Sequence, residues 1–258
     1  MPLFTINDLT HYFGGLCAVS GFNLTLDKGE LVGLIGPNGA GKTTVFNLIT
    51  GIYRPKRGAI ALNNENITGM SPHLVNRKGI GRTFQNIRLF HDMSIIDNIK
   101  VAARHEADYG MLTSLFHPPS FWTKEHDLDA WCRELLDVFG LVEKAGLRSS
   151  SLAYGQQRRL EIARAIATRP SLLLLDEPAA GMNPRDAAEL IETILWVKEK
   201  FSLTILIIEH NMHVIMKVSQ RIVVLDFGET IAAGTPEQIR AHPRVIEAYL
   251  GKDSAHAA

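Results

Sequence analysis

Between an apolar run, Leu31-Val32-Gly33-Leu34-Ile35, and a helical pattern from Thr44 to Thr50 closed by Gly51, the chain carries Gly36-Pro37-Asn38-Gly39-Ala40-Gly41-Lys42-Thr43. The spacing is G-x-x-x-x-G-K-T, in the strand, loop, helix order that a phosphate-binding loop requires. Glycines let the backbone curl so that successive N–H groups point at phosphate oxygens. The helix that follows adds the positive end of its dipole. In such a loop Lys42 reaches the β- and γ-phosphates and Thr43 ligates Mg²⁺. Gly36, Pro37, Asn38, Gly39, Ala40, Gly41, Lys42, Thr43 and Thr44 are the candidate nucleotide contacts.

The rest of the chain reads as an α/β pattern around this loop. Residues 3–35 are strand-like, with apolar and polar residues alternating in Phe22-Asn23-Leu24-Thr25-Leu26. Thr83-Phe84 reads as a strand end with Gln85 at its tip. From Ser94 the texture turns helical. Ser94 with Asp97 resembles a helix start, and Ile95, Ile96, Ile99, Ala102 and Ala103 supply one face. Residues 107–122 are irregular and apolar, and are expected to pack within their own lobe. Leu128, Trp131, Leu135 and Phe139 share a helix face that Gly140 ends. Ser149-Ser150-Ser151 reads as a polar loop, and a helix follows through Thr168. Leu172 to Leu175 is wholly apolar, the mark of a buried parallel strand, and Thr204 to Ile208 reads as a second buried strand. Helices over 184–200 and 243–250 and a capped start at Thr235-Pro236-Glu237-Gln238 complete the pattern.

Chemistry gathers at the strand ends. Carboxyl ends of strands in open α/β sheets converge on a ligand crevice. Four leucines followed by Asp176 make a carboxylate suited to holding Mg²⁺, directly or through water. Glu177, next along, is better suited to orienting and deprotonating an attacking water. His210 ends the next strand, where an imidazole either contacts the γ-phosphate or is structural. Gln85 either senses Mg²⁺ and the γ-phosphate or caps a loop. Phe13, upstream of the loop, either stacks on a base or is a hairpin aromatic.

In this order, Phe13, residues 36–43, Gln85, Leu152-Ala153-Tyr154-Gly155-Gln156, Asp176-Glu177, Asn183 and His210 resemble the nucleotide-binding subunit of an ABC transporter over residues 3 to 251. The resemblance implies an α/β P-loop ATPase core with a mainly parallel sheet, an antiparallel β subdomain and an inserted helical lobe. It implies core and β subdomain over about 1–85 and 165–235, lobe over about 86–164, C-terminal helices over about 235–251, and a tail, 252–258, read as disordered. It makes Phe13 the adenine-stacking aromatic, Gln85 the Q-loop residue, Asn183 the D-loop position and His210 the switch histidine. Catalysis then falls to Glu177, His210 and Gln85, and Mg²⁺ to Thr43, Gln85 and Asp176. Ala153, Gly155 and Gln156 would meet ATP in trans, across a dimer. Two departures stand out. Ala153 and Tyr154 replace the serine and first glycine of the usual Leu-Ser-Gly-Gly-Gln, and Asn183 replaces the usual D-loop aspartate.

Segments such as Arg82-Thr83-Phe84-Gln85, Glu177-Pro178-Ala179-Ala180-Gly181-Met182-Asn183-Pro184 and the ending from Gly234-Thr235-Pro236 narrow the resemblance to the ATP-binding proteins of bacterial branched-chain amino-acid importers. That implies a second cassette subunit, identical or paralogous, and two membrane-spanning permease subunits, with a substrate-binding protein involved indirectly. Phe90 and Met93 either contact the permease or pack within the lobe. The implied location is the cytoplasmic face of the inner membrane, since no apolar run is long enough to span a bilayer and the amino terminus has no signal-peptide pattern. Two distant cysteines, Cys17 and Cys132, fit a reducing compartment. The rivals are a cassette for another cargo, such as lipopolysaccharide export, and a soluble cassette ATPase acting on DNA or ribosomes. Lys and Arg total 27 and Asp and Glu total 27; with no basic excess, no nucleic-acid partner is expected.

Overall fold

The alternation in the first strands is a hairpin in the computed structural model, which describes residues 1–104 and 119–250. Phe22, Leu24 and Leu26 of β2 (Leu16–Leu26) point inward, while Asn23 and Thr25 face out. β2 pairs antiparallel with β1 (Phe4–Phe13), which pairs with β4 (Arg57–Leu62), and β4 with β5 (Glu65–Asn66). Phe13 is the last residue of β1, so it stands at the rim of this sheet.

The second sheet has the order β10 (Glu229–Gly234), β9 (Arg221–Asp226), β3 (Leu31–Ile35), β8 (Thr204–Ile208), β7 (Leu172–Asp176), β6 (Ile80–Arg82). Every neighbour is parallel except the β9–β10 hairpin. Every residue of β3, β7 and β8 is buried, which is why these strands, apart from Thr204 and Asp176 at their ends, read as apolar runs. The sheet is therefore mainly parallel, as expected. Its register sets the site. Ile208 lies level with Leu34 on one side and Asp176 on the other. The chain thus leaves β3, β7 and β8 at neighbouring points of one sheet edge.

Two apolar clusters hold the layers. One lies between the two sheets and includes Phe4, Phe22, Phe46, Leu34 and Leu206. The other joins Leu31, Leu173 and Leu175 of the parallel sheet to α3 (Ile95–Ala103), α4 (Pro119–Val138) and α5 (Tyr154–Ala167). The helical lobe therefore shares its core with the sheet. Burying each large aliphatic or aromatic side chain there contributes roughly 1.5–3 kcal/mol. Ser94 caps α3 by accepting from Asp97 N at 3.1 Å. Leu128 and Leu135 of α4, with Phe139 just past its end, form the buried stripe, and Trp131 donates its indole N–H to Ala167 O at 3.2 Å. Gly140 ends the stripe at φ +66°. The lobe boundary expected near residue 164 falls inside α5.

Three local expectations change. β6 ends at Arg82, although Thr83 N still bonds Leu174 O at 3.0 Å. Ser149–Ser151 is a turn of 3-10 helix rather than a polar loop. Ser149 is buried there, because its hydroxyl donates to Phe90 O at 2.9 Å. Trp122, expected to pack in the lobe, is 65% exposed; Met111, Leu112, Leu115 and Phe116 lie outside the described residues. The remaining helices are α1 (Lys42–Ile49), α2 (Pro72–Arg77), α6 (Pro184–Lys200), α7 (Met212–Val218), α8 (Pro236–Arg240) and α9 (Pro243–Leu250). Thr235 and Gln238 form a reciprocal capping box. The expected tail also lies outside the described residues. Among the described residues no helix is long and apolar enough to cross a membrane.

Candidate functional site

The loop between β3 and α1 is shaped by backbone crowding. A Cβ on Gly36 would lie 2.1 Å from Leu225 O, and one on Gly41, at φ +103°, 2.5 Å from Ala18 O. Only glycine fits at either point. Lys42 is buried, and its ammonium donates to the carbonyls of Gly36 (2.7 Å) and Pro37 (2.9 Å). Asn38, Gly39, Ala40, Gly41, Lys42, Thr43 and Thr44 line a cleft of about 790 Å³. Gly36 and Pro37 shape the loop from behind this wall.

The same cleft is lined by Phe13, Gln85, Glu177 and His210. The structure thus brings together side chains from four separate segments. Gln85 and His210 meet at Glu177. Its two carboxylate oxygens are held separately: Gln85 Nε2 donates to one at 3.1 Å, and His210 Nε2 donates to the other at 2.6 Å. Glu177 itself has φ +51°, a left-handed conformation unusual for its type, directly after the buried Asp176. That turn sends its side chain to the cleft, while its N–H continues the sheet ladder to Ile208 O at 2.9 Å.

Asp176 does not line the cleft. It is buried behind it, paired with Arg82 Nη2 at 3.1 Å. Burial pushes its carboxyl above the ordinary range, against the opposing pull of Arg82. Arg82 Nη1 also donates to Asn47 Oδ1 (2.8 Å) and Thr50 Oγ1 (3.0 Å) of the α1 segment. One guanidinium so ties three pieces of the phosphate-loop surroundings. Nothing in the local sequence around Arg82 points to this role, because its partners lie on α1 and β7. Phe227 was missed too. It lines the cleft with Cys17 and Ala18, is 81% exposed, and sits at φ +44° in the β9–β10 turn. Phe13 stands at the cleft rim, edge-on to Tyr53 at 5.2 Å. Glu209, buried before His210, accepts from Ala179 N at 3.1 Å, and burial raises its carboxyl.

Ala153, Gly155 and Gln156 are not in this cleft. They line a second one of about 580 Å³ with Lys144, Arg159, Met182 and Asp186. Gln156 Oε1 accepts from Lys144 Nζ at 3.1 Å. Ala153 occupies the N-cap of α5 without a side-chain cap. Asn183 caps α6, accepting from Asp186 N at 2.9 Å and donating to Asp186 Oδ2 at 2.8 Å. Asparagine serves an N-cap as well as aspartate does, which accounts locally for that departure. Phe90 is half exposed, with Arg164 over its ring at 5.6 Å, and Met93 is half-buried.

The donor set lining the cleft fits a nucleoside triphosphate and a divalent cation: a glycine-built cradle, a lysine, two threonine hydroxyls and the Glu177 carboxylate, with Asp176 directly behind. Residues 19–180 match the family described as ABC transporter, and the chain belongs to that family. It is an ATP-hydrolysing cassette of a transporter. Residues 229–255 match the narrower family described as branched-chain amino acid ATP-binding cassette transporter. The chain is 47% identical over 251 residues to the high-affinity branched-chain amino acid transport ATP-binding protein BraF of Pseudomonas aeruginosa, covering 97% of this chain and 98% of that one. Identity and coverage are the same for the protein of that description, LivG, from Escherichia coli K12. A solved ATP-binding cassette of an ABC transporter, in its ADP conformation, superposes with a TM-score of 0.83 at 29% identity, covering 97% of this chain and 99% of that one.

Proposed function

We propose that this chain powers the import of branched-chain amino acids by hydrolysing ATP in the cleft between the phosphate loop and Glu177. The observation that carries the catalytic half is the carboxylate of Glu177 held between Gln85 and His210 at the cleft wall. A carboxylate positioned by two neighbours is a suitable general base for water, and such a base supplies roughly 10²–10⁴-fold in rate. Lys42 and the loop N–H groups would hold the phosphates, and Phe13 the adenine. Thr43 and Gln85 on the cleft wall, and Asp176 once released from Arg82, would hold Mg²⁺, which would supply charge neutralisation at the phosphates. Phosphoryl transfer then depends on positioning more than on covalent chemistry.

The cargo rests on the relatives, whose descriptions name branched-chain amino acids. The second cleft, with Ala153, Gly155 and Gln156 beside Lys144 and Arg159, is suited to the nucleotide of a second cassette, the same chain or a paralogue. Two permease subunits would anchor the pair at the cytoplasmic face of the inner membrane, with Phe90 and Met93 as candidate contacts. A substrate-binding protein would select the amino acid, so this chain need not touch it.

The test has two parts. Glu177→Gln should lower steady-state hydrolysis by about 10²-fold or more while nucleotide still binds; unchanged turnover would remove Glu177 as the base. Host cells lacking the gene should lose uptake of labelled leucine and regain it with the unaltered chain but not with Glu177→Gln. Unaltered leucine uptake in the deletion would sink the cargo.

A further inference from the structure

Tyr154 stands where the usual signature has glycine, and its side chain is not idle. The hydroxyl donates to Ala180 O at 3.0 Å and accepts from Arg158 Nε at 3.3 Å. Ala180 N in turn closes a turn onto Glu177 O at 3.2 Å. The other two nitrogens of Arg158 reach the Q-loop: Nη1 donates to Phe84 O at 2.8 Å, and Nη2 donates to Gln85 O. Arg158 is 2% exposed and is held in place by Glu161 at 3.1 Å. Gly181, at φ +75°, lies under the Tyr154 ring, where a Cβ would come within 3.3 Å of it. A continuous hydrogen-bonded path therefore runs from the Gln85 carbonyl through Arg158 and Tyr154 to the segment that follows Glu177. Tyr154 is 45% exposed, so core packing does not account for its placement.

We propose that Tyr154 is a positioning residue that joins the Q-loop, the signature helix and the 179–183 segment of one chain into a single moving body. A displacement of Gln85 by nucleotide in the first cleft is then passed, through Arg158 and Tyr154, to Gly155 and Met182 on the wall of the second. The proposal rests on the reading that the second cleft takes the nucleotide of a partner cassette. It gives the two nucleotide sites of a pair a mechanical link within each chain.

Tyr154→Phe keeps the ring over Gly181 and removes both hydroxyl bonds. The experiment is hydrogen–deuterium exchange on the full chain with and without Mg²⁺ and a non-hydrolysable ATP analogue, alongside the ATP dependence of hydrolysis. In the unaltered chain the analogue should protect residues 36–44 and change exchange at 153–158 and 179–183 together. In Tyr154→Phe the protection of 36–44 should remain, the changes at 153–158 and 179–183 should uncouple, and the Hill coefficient should fall from about 2 toward about 1. Identical exchange and cooperativity in the two proteins overturn the proposal and leave the functional reading standing. No protection of 36–44 in the unaltered chain overturns both.

Discussion

Two buried arginines flank the Q-loop, and they are used in opposite ways. Arg82, just before it, spends its guanidinium on side chains: Asn47, Thr50 and Asp176. Arg158, on the signature helix, reaches main-chain carbonyls, those of Phe84 and Gln85, besides Tyr154 and Glu161. Every nitrogen of Arg158 has an acceptor. Arg82 Nε has no acceptor among the described residues. Both pairs are buried, with side chains 6% and 3% exposed in Arg82–Asp176 and 3% and 2% in Arg158–Glu161. The difference teaches where rigidity is placed. A side-chain carboxylate can change partners when a cation arrives. A backbone carbonyl has nowhere to go, so the segment it belongs to must move with its donor.

The contrast breaks or holds on stability. Arg158→Ala leaves Glu161 buried without its cation and two carbonyls without donors. It should cost about 3–5 kcal/mol in urea unfolding, the scale of a broken buried pair. Arg158→Lys should recover only part of this, because an ammonium cannot span both carbonyls. Arg82→Ala should cost less, about 3 kcal/mol or below, because burial raises both carboxyls alike and only the loss of Arg158 also strands two backbone carbonyls. Equal losses in the two alanine variants would erase the distinction.

Glu209 sharpens it from a third position, a buried carboxyl held by backbone N–H groups. Its folded-state pKa is raised, so the folded chain holds that proton more tightly than the unfolded one. The stability it contributes is fully present below the ordinary carboxylate value and is lost as pH rises through the folded value. Glu209→Gln should therefore gain stability relative to the parent as pH rises across that window and match it most closely at acid pH. Urea midpoints from pH 4 to 8 would check this; a gap that narrows with rising pH would contradict it. The smallest effect is expected at the signature. Ala153→Ser supplies the missing cap of α5 and should stabilise by about 0.5–1 kcal/mol, with hydrolysis within a few-fold of the parent. A large gain or collapse in turnover would show that the signature side chain, and not the helix end, governs the second cleft.

Much of the site was legible from residues 36–44 and from the strand ends, because those motifs depend on local spacing. Glycine at 36 and 41, lysine at 42 and the apolar runs before Asp176 and His210 carry their meaning in a few neighbouring residues. Helix limits at 184–200 and 243–250 were equally local, set by proline at N1 and an apolar period. Gln85 and His210 were ambiguous singly and became informative only in the order of the whole set.

What spacing does not encode is which side chains meet. The burial of Asp176 behind the cleft, its pairing with Arg82, the arrival of Phe227 at the rim and the capture of both Glu177 oxygens all join residues far apart in the chain. The register that sets Ile208 level with Leu34 and Asp176 created those meetings. Tyr154 is the clearest instance. As a letter it is a departure from a motif; as a side chain it bridges Arg158 and Ala180. A hydrogen bond acts over about 3 Å, and no one-dimensional pattern specifies which distant carbonyl the folded sheet will bring within that reach.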